Sequence, residues 1–355
     1  MRTTRAIGLM SGSSLDGLDM ALVCFSEQEG HYRYRIEKAE TLPYPEYWHQ
    51  QLADAFLHKP EELQSIHKEY GAFLGTQVKA FAERHGVIPD FVASHGHTVF
   101  HKPEERYTLQ IGDGQALADA CGFNVVNDFR SEDVSKGGQG APLVPIGDRL
   151  LFGDYAICLN IGGIANVSYD LDGKRIAYDI CIANQALNWL AQQKGLSYDK
   201  DGRLAQQGHV DQELLDQLND NAFFIQTPPK SLGREFFETF QKDMLKRYRV
   251  DDALATFTEH AAMQIAHAIA PLPTDRMLVT GGGAHNTTLV DRIQRHTKHQ
   301  VVVPDRMTVD YKEALIFAFL GLRRLEGRIN VLSSVTGAPS DSCSGKIWHP
   351  QQKMQ

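Results

Sequence analysis

The chain has 355 residues, 42% of them hydrophobic and 23% charged, with a formal net charge of −8. That length allows two sizeable cores, and an acidic chain without a dense Lys/Arg run argues against a nucleic-acid surface. The longest apolar run, Ala314–Leu322, is far short of a membrane span, and Ala6–Met10 is too short for a signal-peptide core. The expectation is a cytoplasmic protein that engages a small molecule, with no nucleic acid and no membrane. Five scattered cysteines (Cys24, Cys121, Cys158, Cys181, Cys343) are read as reduced thiols.

Three strands open the chain, at Arg5–Met10, Leu18–Phe25 and Tyr32–Thr41. Helical segments follow at Pro45–His58 and Pro60–His85, then a strand at Phe91–Ser94 running into a polar loop, SHGHT. A helix at Asp113–Cys121 and a strand at Phe123–Asn127 complete a βββαβαβ order. The Gly/Pro-rich stretch Lys136–Pro145 is the expected inter-domain hinge. The order then repeats. Strands are expected at Tyr155–Ile161, Ala165–Asp170 and Arg175–Ile180, the last two joined by a DLDG turn. An α-rich insertion follows, then a strand at Arg276–Thr280. Asn286 caps a helix with Leu289, Val290 and Ile293 on one face. A last strand at Gln300–Val303 and a helix at Lys312–Leu325 close the repeat. Strand–helix alternation implies parallel pairing, and consecutive hairpins imply antiparallel pairing. The fold class expected is α/β, two mixed-sheet domains around a cleft. The boundaries expected are 1–135, completed by 337–355, and 136–336.

The first hairpin turn, within Met10–Asp19, offers Gly12, Ser13, Ser14 and Gly17 where a phosphate needs close approach. It lacks the lysine of a P-loop, and a strand follows rather than a helix, which also excludes a dinucleotide fingerprint. A phosphate-binding hairpin of the sugar kinase, Hsp70 and actin class fits. Asp16 and Asp19 suit Mg²⁺ with its water shell. A second such turn, NIGGIAN, carries Gly162 and Gly163. The loop TGGGAHN, with Gly281, Gly282, Gly283 and Asn286, follows a strand and suits nucleotide contact. Asp179 at the end of its strand is placed to accept a proton in phosphoryl transfer, in preference to capping a helix near Ala183. Ser94, His95, His97, Thr98 and Arg130 follow apolar strands, the usual position of ligand groups in open sheets. Arg130 suits a carboxylate. Glu313 reads either as a first-turn acid favoured by the helix dipole or as an acceptor for sugar hydroxyls.

Taken in order, GLMSGSSLDGLD, SHGHTVFH, QIGDGQ, VVNDFRSEDVSKGGQGAPLVP, LNIGGIANVSY, TGGGAHN, EALIFAFLG and SSVTGA resemble the anhydro-N-acetylmuramic acid kinase family. The resemblance implies the duplicated ribonuclease H-like fold of sugar kinases, Hsp70 and actin. It implies ATP- and Mg²⁺-dependent opening of the 1,6-anhydro ring of 1,6-anhydro-N-acetylmuramic acid with phosphorylation of O6. The products would be N-acetylmuramic acid 6-phosphate and ADP, in peptidoglycan recycling. Asp179 falls on the catalytic aspartate. ATP would be held by Gly12, Ser13, Ser14, Leu15, Asp16, Gly17, Leu18 and Asp19, by Gly162 and Gly163, and by Gly281–Gly283 with Asn286. Ser94, His95, His97, Thr98, Arg130 and Glu313 would line the sugar site, Arg130 meeting the lactyl carboxylate. A homodimer is implied by the family alone. The family often carries Gln in place of His97 and T-G-P-G-N after the aspartate, where this chain has ICIAN. The competing readings are a kinase for another amino sugar and a catalytically inactive sugar-binding regulator.

Overall fold

The computed structural model describes residues 2–12 and 15–351, so Ser13 and Ser14 of the first turn lie outside the described residues. The chain divides into two compact units, one formed by residues up to Leu151 and from Tyr311 onward, the other by Phe152–Asp310.

In the first unit, β1 (Arg2–Ser11), β2 (Leu18–Gln28) and β3 (His31–Leu42) form an antiparallel meander. β4 (Phe91–Ser94) pairs parallel to β1. β5 (His97–Lys102) and β6 (Tyr107–Ile111) make a separate two-stranded ribbon, where a loop was expected after Ser94. β7 (Val125–Asn127) pairs parallel to β4. The helix Pro60–His85 begins with proline, which lacks the N–H that would go unpaired there, and ends on Gly86 in the left-handed region at φ 61°. Leu63, Ile66, Tyr70, Leu74, Val78 and Phe81 form its buried stripe.

The second unit repeats the plan. β8 (Ile157–Ile161), β9 (Ile164–Leu171) and β10 (Lys174–Ile182) form the meander. β11 (Arg276–Thr280) and β12 (Gln300–Val302) add parallel to β8. Its order, β10-β9-β8-β11-β12, matches β3-β2-β1-β4-β7 strand for strand and direction for direction. The ribonuclease H-like topology is therefore present twice. The α-rich insertion ends in the helix Val250–Ile269, whose alanines let neighbouring helices approach and whose sides are almost all buried. β13 (Lys346–Trp348) is a further strand, antiparallel to β7 on the edge of the first sheet.

The unit boundaries fall elsewhere than at 135/136 and 336/337. The stretch expected as a hinge is tied into the first unit: Gly140 N donates to Asp133 Oδ2 at 2.8 Å, Arg130 Nη1 to Gly140 O at 2.7 Å, and Gln139 N to Thr336 O at 2.7 Å. The helix Pro145–Leu151 belongs there too. Asp148 and Lys312, only 5% and 4% exposed, form an ion pair at 2.7 Å, and Gly147 lies so close to Ile316 that a side chain would clash. The last long helix runs Arg306–Leu325, six residues earlier than expected, with a break at Tyr311 (φ −117°, ψ 16°). The two units part at that break.

Candidate functional site

The first unit gathers its polar groups at the carboxyl ends of β1 and β4, where parallel strands leave unpaired backbone and room for a ligand. Ser11, the last residue of β1, has its Oγ 3.0 Å from His97 Nδ1. Tyr44 donates its hydroxyl to the same Oγ at 2.7 Å and lies 2.7 Å from the Tyr70 hydroxyl. Burial pushes the His97 imidazole down to about 4, so it is neutral at pH 7. Sequence reasoning missed Ser11, Tyr44 and Tyr70, which are 33 and 26 residues apart along the chain and meet only in the fold.

His95 turns away from this chain of hydroxyls. Its Nε2 receives Arg130 Nε at 3.2 Å and Nη2 at 2.9 Å, and its Nδ1 lies 3.0 Å from Gly96 O. Burial and the neighbouring guanidinium hold the ring far below the usual histidine range. It therefore orients Arg130. Arg130 has no carboxylate within ion-pair distance among the described residues, and burial lowers it to about 10 while Glu313 pulls it back up. A desolvated cation without a paired anion is a site for an anionic ligand. Glu313, which keeps solvent access, is raised by desolvation and by Asp19 and lowered by Lys312 and Arg130. It lies two residues past the Tyr311 break, in the first turn of the helical segment that follows, where the dipole reading put it. Ser94 is 1% exposed and accepts from Gly96 N at 3.1 Å, which fixes the turn. Thr98 is exposed on β5 and accepts from Gln110 Nε2 at 3.4 Å. In the first turn Leu15 N donates to Gly12 O at 3.3 Å. Leu18 is core, Asp16 is exposed, and Asp19 accepts from Thr41 Oγ1 at 2.5 Å. A Cβ on Gly17 would come 2.5 Å from Leu42 O, so that glycine answers to β3.

In the second unit, Asp179 does not end its strand. β10 continues to Ile182 past a bulge between Asp179 and Cys181, and bulges re-aim side chains. Asp179 does not cap the helix Asn184–Gln192 either: Gly162 O and Gly163 O receive the N–H groups of Asn184, Ala183 and Gln185. Its Oδ2 instead accepts Leu232 N at 2.9 Å, and its backbone N donates to Lys230 O at 3.2 Å. Burial raises the Asp179 carboxyl, and the Leu232 N–H opposes this. The Lys230 ammonium anchors that strap, donating to Phe223 O at 3.0 Å and standing 4.6 Å from the Phe223 ring centre. Neither Lys230 nor Leu232 was legible beforehand.

The glycines of the second unit divide by cause. A Cβ on Gly281 would come 2.6 Å from Asn160 Oδ1, and one on Gly283 would overlap Ile161. Both are required by packing on the end of β8. At Gly162, Gly163 and Gly282 a Cβ would find nothing closer than 3.6, 3.9 and 3.7 Å, and none has a positive φ. The fold itself does not demand glycine there, so the open backbone is free for a ligand. Asn286 accepts Leu289 N at 3.0 Å as a helix cap and is 8% exposed. Among the described residues no three or more His, Cys, Asp or Glu are arranged to hold a metal.

A family model described as anhydro-N-acetylmuramic acid kinase matches residues 4–350. The chain is 36% identical over 354 residues to the anhydro-N-acetylmuramic acid kinase of Paramagnetospirillum magneticum, covering 96% of this chain and 98% of that one. It is 35% identical over 370 residues to the enzyme of the same name from Vibrio cholerae, covering 97% and 98%. Among solved structures it aligns with the activator of the 2-hydroxyisocaproyl-CoA dehydratase from Clostridium difficile with bound ADPNP, at 14% identity and a TM-score of 0.44, over 91% of this chain and 97% of that one.

Proposed function

The chain belongs to the anhydro-N-acetylmuramic acid kinase family, and from that premise we propose that it uses ATP and one water to convert 1,6-anhydro-N-acetylmuramic acid into N-acetylmuramic acid 6-phosphate and ADP. Asp179 takes a proton from water as its oxygen bonds to the anomeric carbon. The bond from that carbon to the bridging oxygen breaks, and the oxygen, still on C6, takes the γ-phosphoryl group. The observation that carries this reading is the Asp179 carboxylate, half-buried, raised, and aimed by a strand bulge and a single backbone N–H. A base raised toward the operating pH takes protons more effectively than an ordinary surface carboxylate.

The other residues divide the remaining work. The open backbone at Gly162, Gly163 and Gly282 receives the nucleotide. Arg130, steadied by His95, receives the lactyl carboxylate, and Glu313 accepts from a sugar hydroxyl. Asp16 and Asp19 suit a Mg²⁺ that arrives on the phosphates, since such an ion needs only one or two carboxylates; when bound it offsets charge on the transferring phosphoryl. No helix among the described residues is long and apolar enough to cross a membrane. We place the reaction in the cytoplasm, in peptidoglycan recycling, and the active form as a homodimer.

The deciding experiment follows ADP release with 1,6-anhydro-N-acetylmuramic acid, ATP and Mg²⁺, and weighs the product. Gain of one water and one phosphoryl unit is the expected result. Gain of a phosphoryl unit alone, with another amino sugar as the better acceptor, would replace ring opening with ordinary hydroxyl phosphorylation.

A further inference from the structure

The row of hydroxyls behind His97 has a direction. Tyr70 is fully buried, and the aligned hydrogen bond of its hydroxyl runs to Tyr44. A buried hydroxyl proton without an acceptor is costly, whereas an oxygen that receives nothing costs less. Tyr44 directs its own proton to Ser11 Oγ, so at the Tyr44–Tyr70 contact the donor is Tyr70. Tyr44 donates to Ser11 Oγ at 2.7 Å, which leaves the Ser11 proton for His97 Nδ1 at 3.0 Å. An imidazole nitrogen that accepts a proton carries none, so in the neutral ring the proton sits on Nε2. His97 Nε2 has no hydrogen-bond partner among the described residues, and it is absent from the fully buried unpartnered atoms.

We propose that Tyr70, Tyr44 and Ser11 lock His97 in its Nε2–H form, so that it offers one permanent donor to an oxygen of the sugar that carries no proton, a carbonyl or ether oxygen. Ser11, Tyr44 and Tyr70 are positioning residues. An unlocked imidazole divides between two forms, one of which presents a lone pair that repels such an oxygen. The lock itself is a property of the free protein. Its consequence for the sugar rests on the placement of His97 under the proposed function.

Nitrogen-15 spectroscopy of the histidine-labelled full chain tests the lock directly, with His97→Gln identifying the signal by its loss. The wild type should show a proton-bearing Nε2 and a bare Nδ1 at His97, and Ser11→Ala should show averaging between forms. A proton on Nδ1 in the wild type would overturn the proposal. In turnover, Ser11→Ala should raise the KM for the sugar by about fivefold, the weight of one neutral hydrogen bond, with Tyr44→Phe and Tyr70→Phe progressively weaker. Because a glutamine amide donates without tautomers, Ser11→Ala should cost much less in a His97→Gln background. An equal cost in both backgrounds would show that Ser11 acts on something other than His97. A locked wild-type ring whose Nε2 signal ignores added sugar would instead refute the placement of His97 and leave the lock standing. Thermal unfolding of each variant separates these effects from loss of fold.

Discussion

Asp179 and the glycines near β8 show how one residue type can hold different roles. A desolvated carboxylate is held against its own preference, so it weakens the fold that holds it. Its folded pKa is raised, so the destabilisation it brings is absent at low pH and grows as pH climbs through the unfolded and then the folded value. Asp179→Asn should accordingly abolish nearly all turnover, by about 10²–10⁴-fold, and raise the melting temperature at pH 7. A fall in melting temperature would mean that the charge is structural. The glycines make the opposite contrast. Gly283→Ala forces a methyl into Ile161 and should cost about 1–3 kcal/mol by denaturant titration. Gly282→Ala meets only Asn184 Nδ2 at 3.7 Å. It should leave the denaturation midpoint in place and raise the KM for ATP by about tenfold, as expected for a steric penalty in that same range. All three glycines of TGGG were legible as a loop signal. Which of them answered to packing was not, because that depends on how closely Ile161 and Asn160 approach from a strand more than a hundred residues earlier.

At the scale of elements, regular patterns could be read and interrupted ones could not. The helix Pro60–His85 and the strands Phe91–Ser94 and Arg276–Thr280 lie where their caps and apolar runs put them. The ribbon β5–β6 was hidden because its residues are largely polar or half-exposed and do not alternate cleanly. The first turn of Arg306–Leu325 was hidden because polar residues and the Tyr311 break precede its apolar run. The strap over Asp179 was hidden for another reason: Lys230 acts on residue 179 through the backbone, and no spacing announces that. It makes its own prediction. Lys230→Met removes the anchor on Phe223 O and Phe224 O and slackens the Leu232 N–H, which holds the Asp179 carboxyl down. The Asp179 pKa should then rise further. Because the base works only when ionised, the acid limb of the kcat/KM profile should move to higher pH while the alkaline limb stays in place. A uniform loss of rate at every pH would show that Lys230 contributes packing alone.

The duplication was readable across the whole molecule because βββαβαβ recurs in order along the chain. The return of the chain was expected only from residue 337, whereas it begins at Tyr311, inside a helix whose composition does not mark the change. The contacts tie that return to the first unit. Phe319 lies 5.7 Å from Phe25 between ring centres, Tyr32 donates to Glu326 at 2.8 Å, and Thr336 donates to the buried Asp133 at 2.9 Å. Trp348 of β13 donates to Asn127 at 2.8 Å. The second unit needs no such return. Its five-stranded sheet and its core, from Ile157 to Val309, come from one continuous stretch. A fragment of residues 152–310 should therefore fold alone, with a cooperative thermal transition and dispersed amide signals. A fragment of residues 1–151 should not, because it lacks the helix that covers Phe25 and the Lys312 member of the buried Asp148 ion pair. Breaking a buried ion pair by removing one member costs about 3–5 kcal/mol, a large share of a domain's stability. Mixing 1–151 with a peptide of 311–355 should restore structure, read by circular dichroism. Independent folding of 1–151 would mean that the chain's return adds a lid to a unit already complete.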